Sequence, residues 1–403
     1  MTAPRRALAY GLTVNVVLLA LVSLLTDVSS EMILPIMPFF LVDVLLASAL
    51  ILGVVEGLAD GVVSFMKILS GRWSDEAGHR RRFVAAGYGL STAMKALFPF
   101  AASWPQFLGM RIVERAGKGI RDAPRDALLA ESAPPEVRGK AFGFHRSMDT
   151  SGAIAGPLLA LGLLAWIGTS MAMGDAYRTV LLLAAIPAGV AFLLVFLVKE
   201  NPRPPAPRRA LRLSFRGAPR ALLSFVVIAS LFSLAEFSYA FLLLRAGAEE
   251  GTTGAILLYV FFNVVYAAAA FPAGALSDRI GRKPVILVGY VCFAGMAALL
   301  ALGPSLPSLA VLVPAFALYG LSYGMTQGTE RALVADLAPP EIKATVLGAY
   351  HASVGVVKIG SGVIAGLLWT VVLPEGTATF AFAAVTAVVA ATALLAWRPP
   401  VRS

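Results

Sequence analysis

Charge is what this sequence has least of: Asp, Glu, Lys and Arg together make up 14% of its 403 residues, against 58% hydrophobic residues. A soluble domain carries about 25% charged residues, so a water-facing surface of ordinary size cannot be built from this chain. Cysteine is nearly absent as well. Cys292 stands alone, which excludes an intrachain disulfide and any metal site built on a Cys pair. With three histidines there is no His-rich tract. No zincin motif, no Gly-x-Ser-x-Gly elbow and no nucleotide loop occurs, and Gly117-Lys118 lacks the spacing of a phosphate-binding loop. The polar connections are too short to hold a catalytic cluster. An enzyme is therefore not expected, and neither is a cofactor.

The apolar residues come in long blocks, each near the roughly 20 residues that a bilayer-spanning helix needs. The expected spans are 11–43, 48–71, 82–103, 105–133, 140–166, 175–198, 221–246, 252–277, 283–303, 307–334, 342–372 and 376–397. Arg5 and Arg6 ahead of the first block resemble a signal peptide, but the block continues without a small-residue cleavage site and reads as a retained helix. The net charge of +10 does not point to nucleic acid, because the excess is concentrated in short loops. Lys199, Arg203, Arg208, Arg209, Arg212, Arg216 and Arg220 stand against Glu200 alone, among five prolines, in a linker at 199–220. Connections at 72–81, 134–139, 279–284 and 339–343 are also basic, and those on the opposite side carry no Lys or Arg. The alternation predicts a multi-pass protein of the cell (inner) membrane with both termini cytoplasmic.

The halves resemble each other. Gly71-Arg-Trp-Ser-Asp75-Glu-Ala-Gly78 aligns with Gly274-Ala-Leu-Ser-Asp278-Arg279-Ile-Gly281, each after the second span of its half. Ala127–Gly143 aligns with Ala332–Gly348 at eight of seventeen positions, including an Ala-Pro-Pro-Glu turn at 133–136 and 338–341. Repeats of this kind build alternating-access transporters, with substrate bound between the repeats. The expectation is an all-α membrane protein of twelve spans in two pseudo-symmetric six-helix bundles, residues 1–198 and 221–403.

At these residues the chain resembles the major facilitator superfamily over its full length. Gly274, Asp278, Arg279, Gly281 and Arg282 follow that superfamily's loop signature, and Gly71, Asp75 and Gly78 a looser copy with Glu76 in place of arginine. The resemblance implies that these loops latch the cytoplasmic side. Arg111-x-x-Glu114-Arg115-x-Gly117-Lys118-Gly119 is similar to its fourth-helix pattern. Gly143, then Gly152-x-x-x-Gly156-Pro157, is similar to a fifth-helix motif of drug–proton antiporters, with Ala160 and Leu161 where two further glycines would complete it. The alternative for that motif is a small-residue packing seam. The run 117–126 also resembles a less characterised bacterial and archaeal branch with no secure substrate.

Ionisable residues inside a membrane are costly and mark function by default. On the fourth span, Arg111, Arg115, Lys118, Asp122, Arg125 and Asp126 fall on one stripe, flanked by Glu114 and Arg121. Candidate acids are Asp27 and Glu31 on the first span, Glu56 and Asp60 on the second, and Asp149 beside His145 and Arg146 on the fifth. A half-desolvated carboxylate among them would bind and release a proton during turnover, and Asp27 and Asp149 are the preferred candidates. The competing reading is salt-bridged scaffolding. The second half offers Glu236, Asn263 and Lys358 near mid-depth, with Tyr239, Tyr266, Tyr319, Tyr323, Gln327, Tyr350 and His351 as polar or aromatic surface.

These residues point to a monomeric, proton-coupled exporter of small amphipathic molecules whose partners are substrate, protons and lipid. An organic anion held by Arg111, Arg115 and Lys118 is one alternative. A divalent metal is the other, although no specific metal site is expected.

Overall fold

The computed structural model describes residues 13–134, 137–200, 214–302, 308–339, 342–371 and 376–398. No strand occurs among them. Apolar runs rich in Leu, Val and Ala form helices because backbone groups away from water must pair within their own segment. In chain order the helices are α1 (Val14–Ile33), α2 (Met37–Phe39), α3 (Ala49–Ala77), α4 (Arg80–Leu97), α5 (Trp104–Ser132), α6 (Arg138–Ile167) and α7 (Met173–Val195). They continue as α8 (Arg220–Ala235), α9 (Ala240–Ile280), α10 (Arg282–Leu302), α11 (Ser308–Thr326), α12 (Thr329–Leu337), α13 (Lys343–Val371) and α14 (Thr377–Ala396). Nine helical stretches among the described residues are long and apolar enough to cross a membrane. Helices α4 and α5 fall outside that set because of their charges, which α5 turns inward.

Three spans expected to be continuous are broken. The first ends at Ile33, and a π-helical turn at Phe40–Val44 follows α2; Pro35 and Pro38 lack the amides a straight helix would use. The seventh breaks at Glu236, whose ψ of 71° is not helical. The freed carbonyl of Leu234 accepts a hydrogen bond from the Ser361 hydroxyl of α13 at 2.9 Å. The tenth breaks at Gln327 and Gly328, between α11 and α12. The seventh and eighth spans meet at a kink within α9, where Gly251, at φ +69° and ψ 174°, is out of helical geometry and separates two helical segments.

By contact the described chain forms two compact units, one from residues 1–45 with 62–210 and one from 46–61 with 211–403. In the first, α1 packs on α5, α6 and α7, and α4 on α5 and α7. Val22, Val84, Tyr88, Ala191 and Val195 form one of its apolar clusters. In the second, α9 packs on α11, α10 on α11 and α14, and α8 on α13 and α14. Tyr290 of α10 stacks on Phe232 of α8 at 3.7 Å and 7°. Most of the basic linker (201–213) and part of each Ala-Pro-Pro-Glu turn (135–136 and 340–341) lie outside the described residues.

Candidate functional site

In the first unit the α5 stripe faces protein. Arg111 Nη1 and Arg115 Nε lie 3.2 and 3.7 Å from Glu114 Oε2, and all three side chains are buried. Farther along, Arg121 donates to the Ser91 hydroxyl of α4 at 3.0 Å, and its guanidinium sits 4.5 Å over the Tyr88 ring. Asp122 is 4.0 Å from Lys67 of α3, and Arg125 pairs with Asp126 at 2.9 Å. Helix α6 brings Asp149 toward α1, where it accepts a hydrogen bond from the Ser23 hydroxyl. His145 Nδ1 and Arg146 Nη1 lie 3.8 and 3.7 Å from the same carboxylate. Asp27, one helical turn beyond Ser23, is half-buried within electrostatic reach of Asp149, Lys118, Arg125 and Arg121. Of the expected group, Asp27, Asp149, Lys118 and Arg125 thus come near one another on α1, α5 and α6, whereas Glu56 and Asp60 of the second span fall in the second unit.

The glycines of α6 explain how α1 comes so near. A Cβ at Gly152 would meet Asp27 Cβ at 2.9 Å, and one at Gly156 would meet Glu31 Cβ at 2.6 Å. The motif's glycines therefore form a packing seam, and that seam positions the two acids. Buried Pro157 and Ala160 continue it, whereas Gly143 is exposed with nothing near its Cβ direction.

The repeat loops carry matching networks. Ser74 and Ser277 donate to the carbonyls of Gly71 and Gly274 at 2.8 and 2.7 Å. Arg80 lies 2.9 Å from Asp75 and 2.7 Å from Glu131 at the end of α5. Arg282 lies 2.6 Å from Asp278 and 3.3 Å from Asp336 at the end of α12. Glu131 and Asp336 occupy equivalent places in the aligned segments. Gly78 and Gly281, at φ +67° and +95°, make the turns that a side chain would strain. Exposed Arg279 is outside the ion pairs found among the described residues.

In the second unit, Glu236 occupies the α8–α9 break. Lys358 of α13 lies 3.0 Å from Glu236 Oε2, and the Gln327 amide donates to Oε1 at 3.3 Å from the α11–α12 break. Ser238, in the first break, donates to buried Glu56 at 3.3 Å, and Asp60 is within electrostatic reach of Lys358. Tyr323 meets Tyr266 edge-on at 5.0 Å, and Phe262 stacks on Tyr319 at 4.7 Å. Asn263 is turned to its own helix, donating to the Tyr259 carbonyl, and His351 packs on Tyr350.

Buried charges on α4 and α12 were not singled out from sequence. Lys95 of α4, 1% exposed, donates to the hydroxyls of Ser29 and Ser30 on α1 at 3.0 and 2.9 Å. Glu330 of α12 accepts from Tyr290 at 2.9 Å and Tyr350 at 2.7 Å. Each is an ionisable residue within an expected span, Lys95 alone and Glu330 beside Arg331, and that is the signal that would have found it. Among the described residues no group of three or more His, Cys, Asp or Glu is placed to hold a metal ion.

Paired helix breaks, intramembrane charges and a twice-used loop network are features of secondary transporters. The sequence profile of the Major Facilitator Superfamily matches residues 19–357 and, again, 248–403. The chain belongs to the Major Facilitator Superfamily. As a superfamily member it is a multi-pass membrane transporter of small molecules and not an enzyme. It is similar to the uncharacterized MFS-type transporter MJ1317 of Methanocaldococcus jannaschii, 36% identical over 391 residues that cover 95% of each chain. The multidrug resistance protein MdtG of Salmonella paratyphi A is 28% identical over 285 residues, 66% of this chain and 67% of that one. Among solved structures, a POT family transporter in complex with 5-aminolevulinic acid superposes with a TM-score of 0.82 over 98% of both chains. At 11% identity it shares the fold alone.

Proposed function

We propose that this transporter is a proton-coupled exporter of small amphipathic molecules, working by alternating access. In this reading twelve spans form two six-helix bundles in the cell (inner) membrane, both termini are cytoplasmic, and the monomer rocks residues 1–198 against 221–403. The observation that carries the proposal is the close approach of α6 to α1 at two acids: Asp149 accepts a hydrogen bond from Ser23, one turn before Asp27, and Gly152 packs against the Asp27 Cβ. Carboxylates in such surroundings change net charge by one proton without disturbing the helix packing, and a bound molecule and a proton can compete there. The repeat-loop networks around Arg80 and Arg282 would serve as the cytoplasmic latch. The likeness to a multidrug resistance protein supports export.

A second reading, transport of an organic anion, is favoured by Lys118, which takes no part in the ion pairs found among the described residues. Purified protein in liposomes containing a pH-sensitive dye separates the two. Cationic drugs, organic anions and divalent metals are each applied as a gradient. Proton movement opposite to a drug gradient supports the exporter; movement only with organic anions or metals replaces the substrate class.

A further inference from the structure

The Glu236 carboxylate links two helix breaks inside one unit and pairs with Lys358 of α13. Glu236 stands where α8 stops, and Gln327, which donates to the same carboxylate, stands where α11 stops. Broken helices at membrane depth are tolerated where they line a cavity or are held by protein. Lys358 is 22% exposed and Glu236 8%, so the lysine end of the pair is the accessible one. Beside it Tyr266 and Tyr323 are partly exposed and meet edge-on, backed by the buried Phe262–Tyr319 stack. Tyr323 is within electrostatic reach of both members of the pair. The Cβ direction at exposed Gly328, next to Gln327, meets nothing within 4 Å.

An ion pair in such a place selects among ligands by what it leaves behind. A lone cation that takes Glu236 strands Lys358, and a lone anion that takes Lys358 strands buried Glu236. Leaving one half of a buried pair uncompensated is strongly unfavourable. A molecule carrying both an ammonium and a carboxylate divides the pair and re-pairs both halves. The tyrosine edges and faces then offer a flat apolar wall to the rest of it.

We infer that the second unit binds an aromatic zwitterion, its ammonium on Glu236, its carboxylate on Lys358 and its ring against Tyr266 and Tyr323. This rests on the small amphipathic substrate proposed above, but not on proton coupling.

The test is calorimetric titration of the purified full chain, without a gradient, using L-phenylalanine, phenethylamine and 3-phenylpropionate, which share a ring and differ in charge. Phenylalanine is expected to bind at least about tenfold more tightly than either single-charge compound. Lys358→Met should reduce phenylalanine to the level of phenethylamine, Glu236→Gln to that of 3-phenylpropionate, and Tyr266→Leu should weaken all three alike. Should a single variant fail to fold, the exchange Glu236→Lys with Lys358→Glu keeps both charges and should keep the preference for phenylalanine. Equal binding of phenethylamine, which would mean that Asp60 re-pairs Lys358, overturns the inference. So does an unchanged preference in the variants, or no binding of phenylalanine. Binding as expected without proton movement in liposomes would instead defeat the antiport proposal and leave this one standing.

Discussion

A Cβ placed on Gly152 would stand 2.9 Å from the Cβ of Asp27 and 2.7 Å from the carbonyl oxygen of Leu24. The first atom belongs to the residue proposed to carry the proton, and the second is backbone that cannot swing aside. Gly152→Ala therefore has to part α1 from α6. It is expected to cost ~1–3 kcal/mol by overpacking and to lower transport by more than the fraction of protein lost. Gly143→Ala, which meets open space, should change neither. Thermal unfolding and transport measured on both variants check the contrast; equal effects would remove the motif's role in placing Asp27.

Lys95 gives the opposite kind of prediction. Its buried ammonium has two serine hydroxyls for company and takes no part in the ion pairs found among the described residues. A buried charge so thinly compensated is poor evidence for stability, and an apolar residue of similar volume is often neutral or better. Lys95→Met should keep or raise the unfolding midpoint while transport falls at least several-fold. A midpoint lowered by many degrees would make Lys95 a strut.

Glu330 is braced differently. Tyr290→Phe and Tyr350→Phe each remove one hydroxyl from a buried carboxylate, at a cost of about 1–3 kcal/mol. The double variant should lose less than the sum if the carboxylate is neutralised once the first donor is gone. Chemical unfolding of the three variants measures this, and strict additivity would argue against a coupled network.

Arg282 bridges Asp278 and Asp336 at the second repeat loop. These are partly exposed pairs, worth roughly 0–1 kcal/mol of stability, so a large effect on rate would have to come from the transport cycle. Arg282→Asp should slow transport several-fold with little change in the unfolding midpoint, and adding Asp336→Arg should restore part of the rate. Failure of the second change to help would detach the network from the cycle.

The apolar blocks placed most helices because length and hydropathy are properties of a segment by itself. The break at Glu236 was not legible, because it interrupts a run that remains apolar on both sides; Gln327 is followed by Gly328, Glu330 and Arg331, but a glycine and two charges do not by themselves end a helix. What opens the helix is a partner on another element, Lys358 for the first and Glu236 for the second. The α5 stripe could be read from spacing, yet spacing does not say which acid an arginine meets. Arg111 and Arg115 both have Glu114 of their own helix within reach, and the Cβ atoms of Asp27 and Glu31 pack against the glycines of α6. Lys95 stands in the last turn of α4, where a lysine ordinarily extends to the membrane surface; here two α1 serines hold it inside.

In the antiport proposed above, a proton moves with each turnover through Asp27. The direct measurement is dye-reported proton movement driven by a substrate gradient in liposomes, native protein against Asp27→Asn, with substrate–substrate exchange followed in parallel. Asp27→Asn is expected still to exchange substrate but no longer to move protons. Proton movement of undiminished size in Asp27→Asn would contradict it.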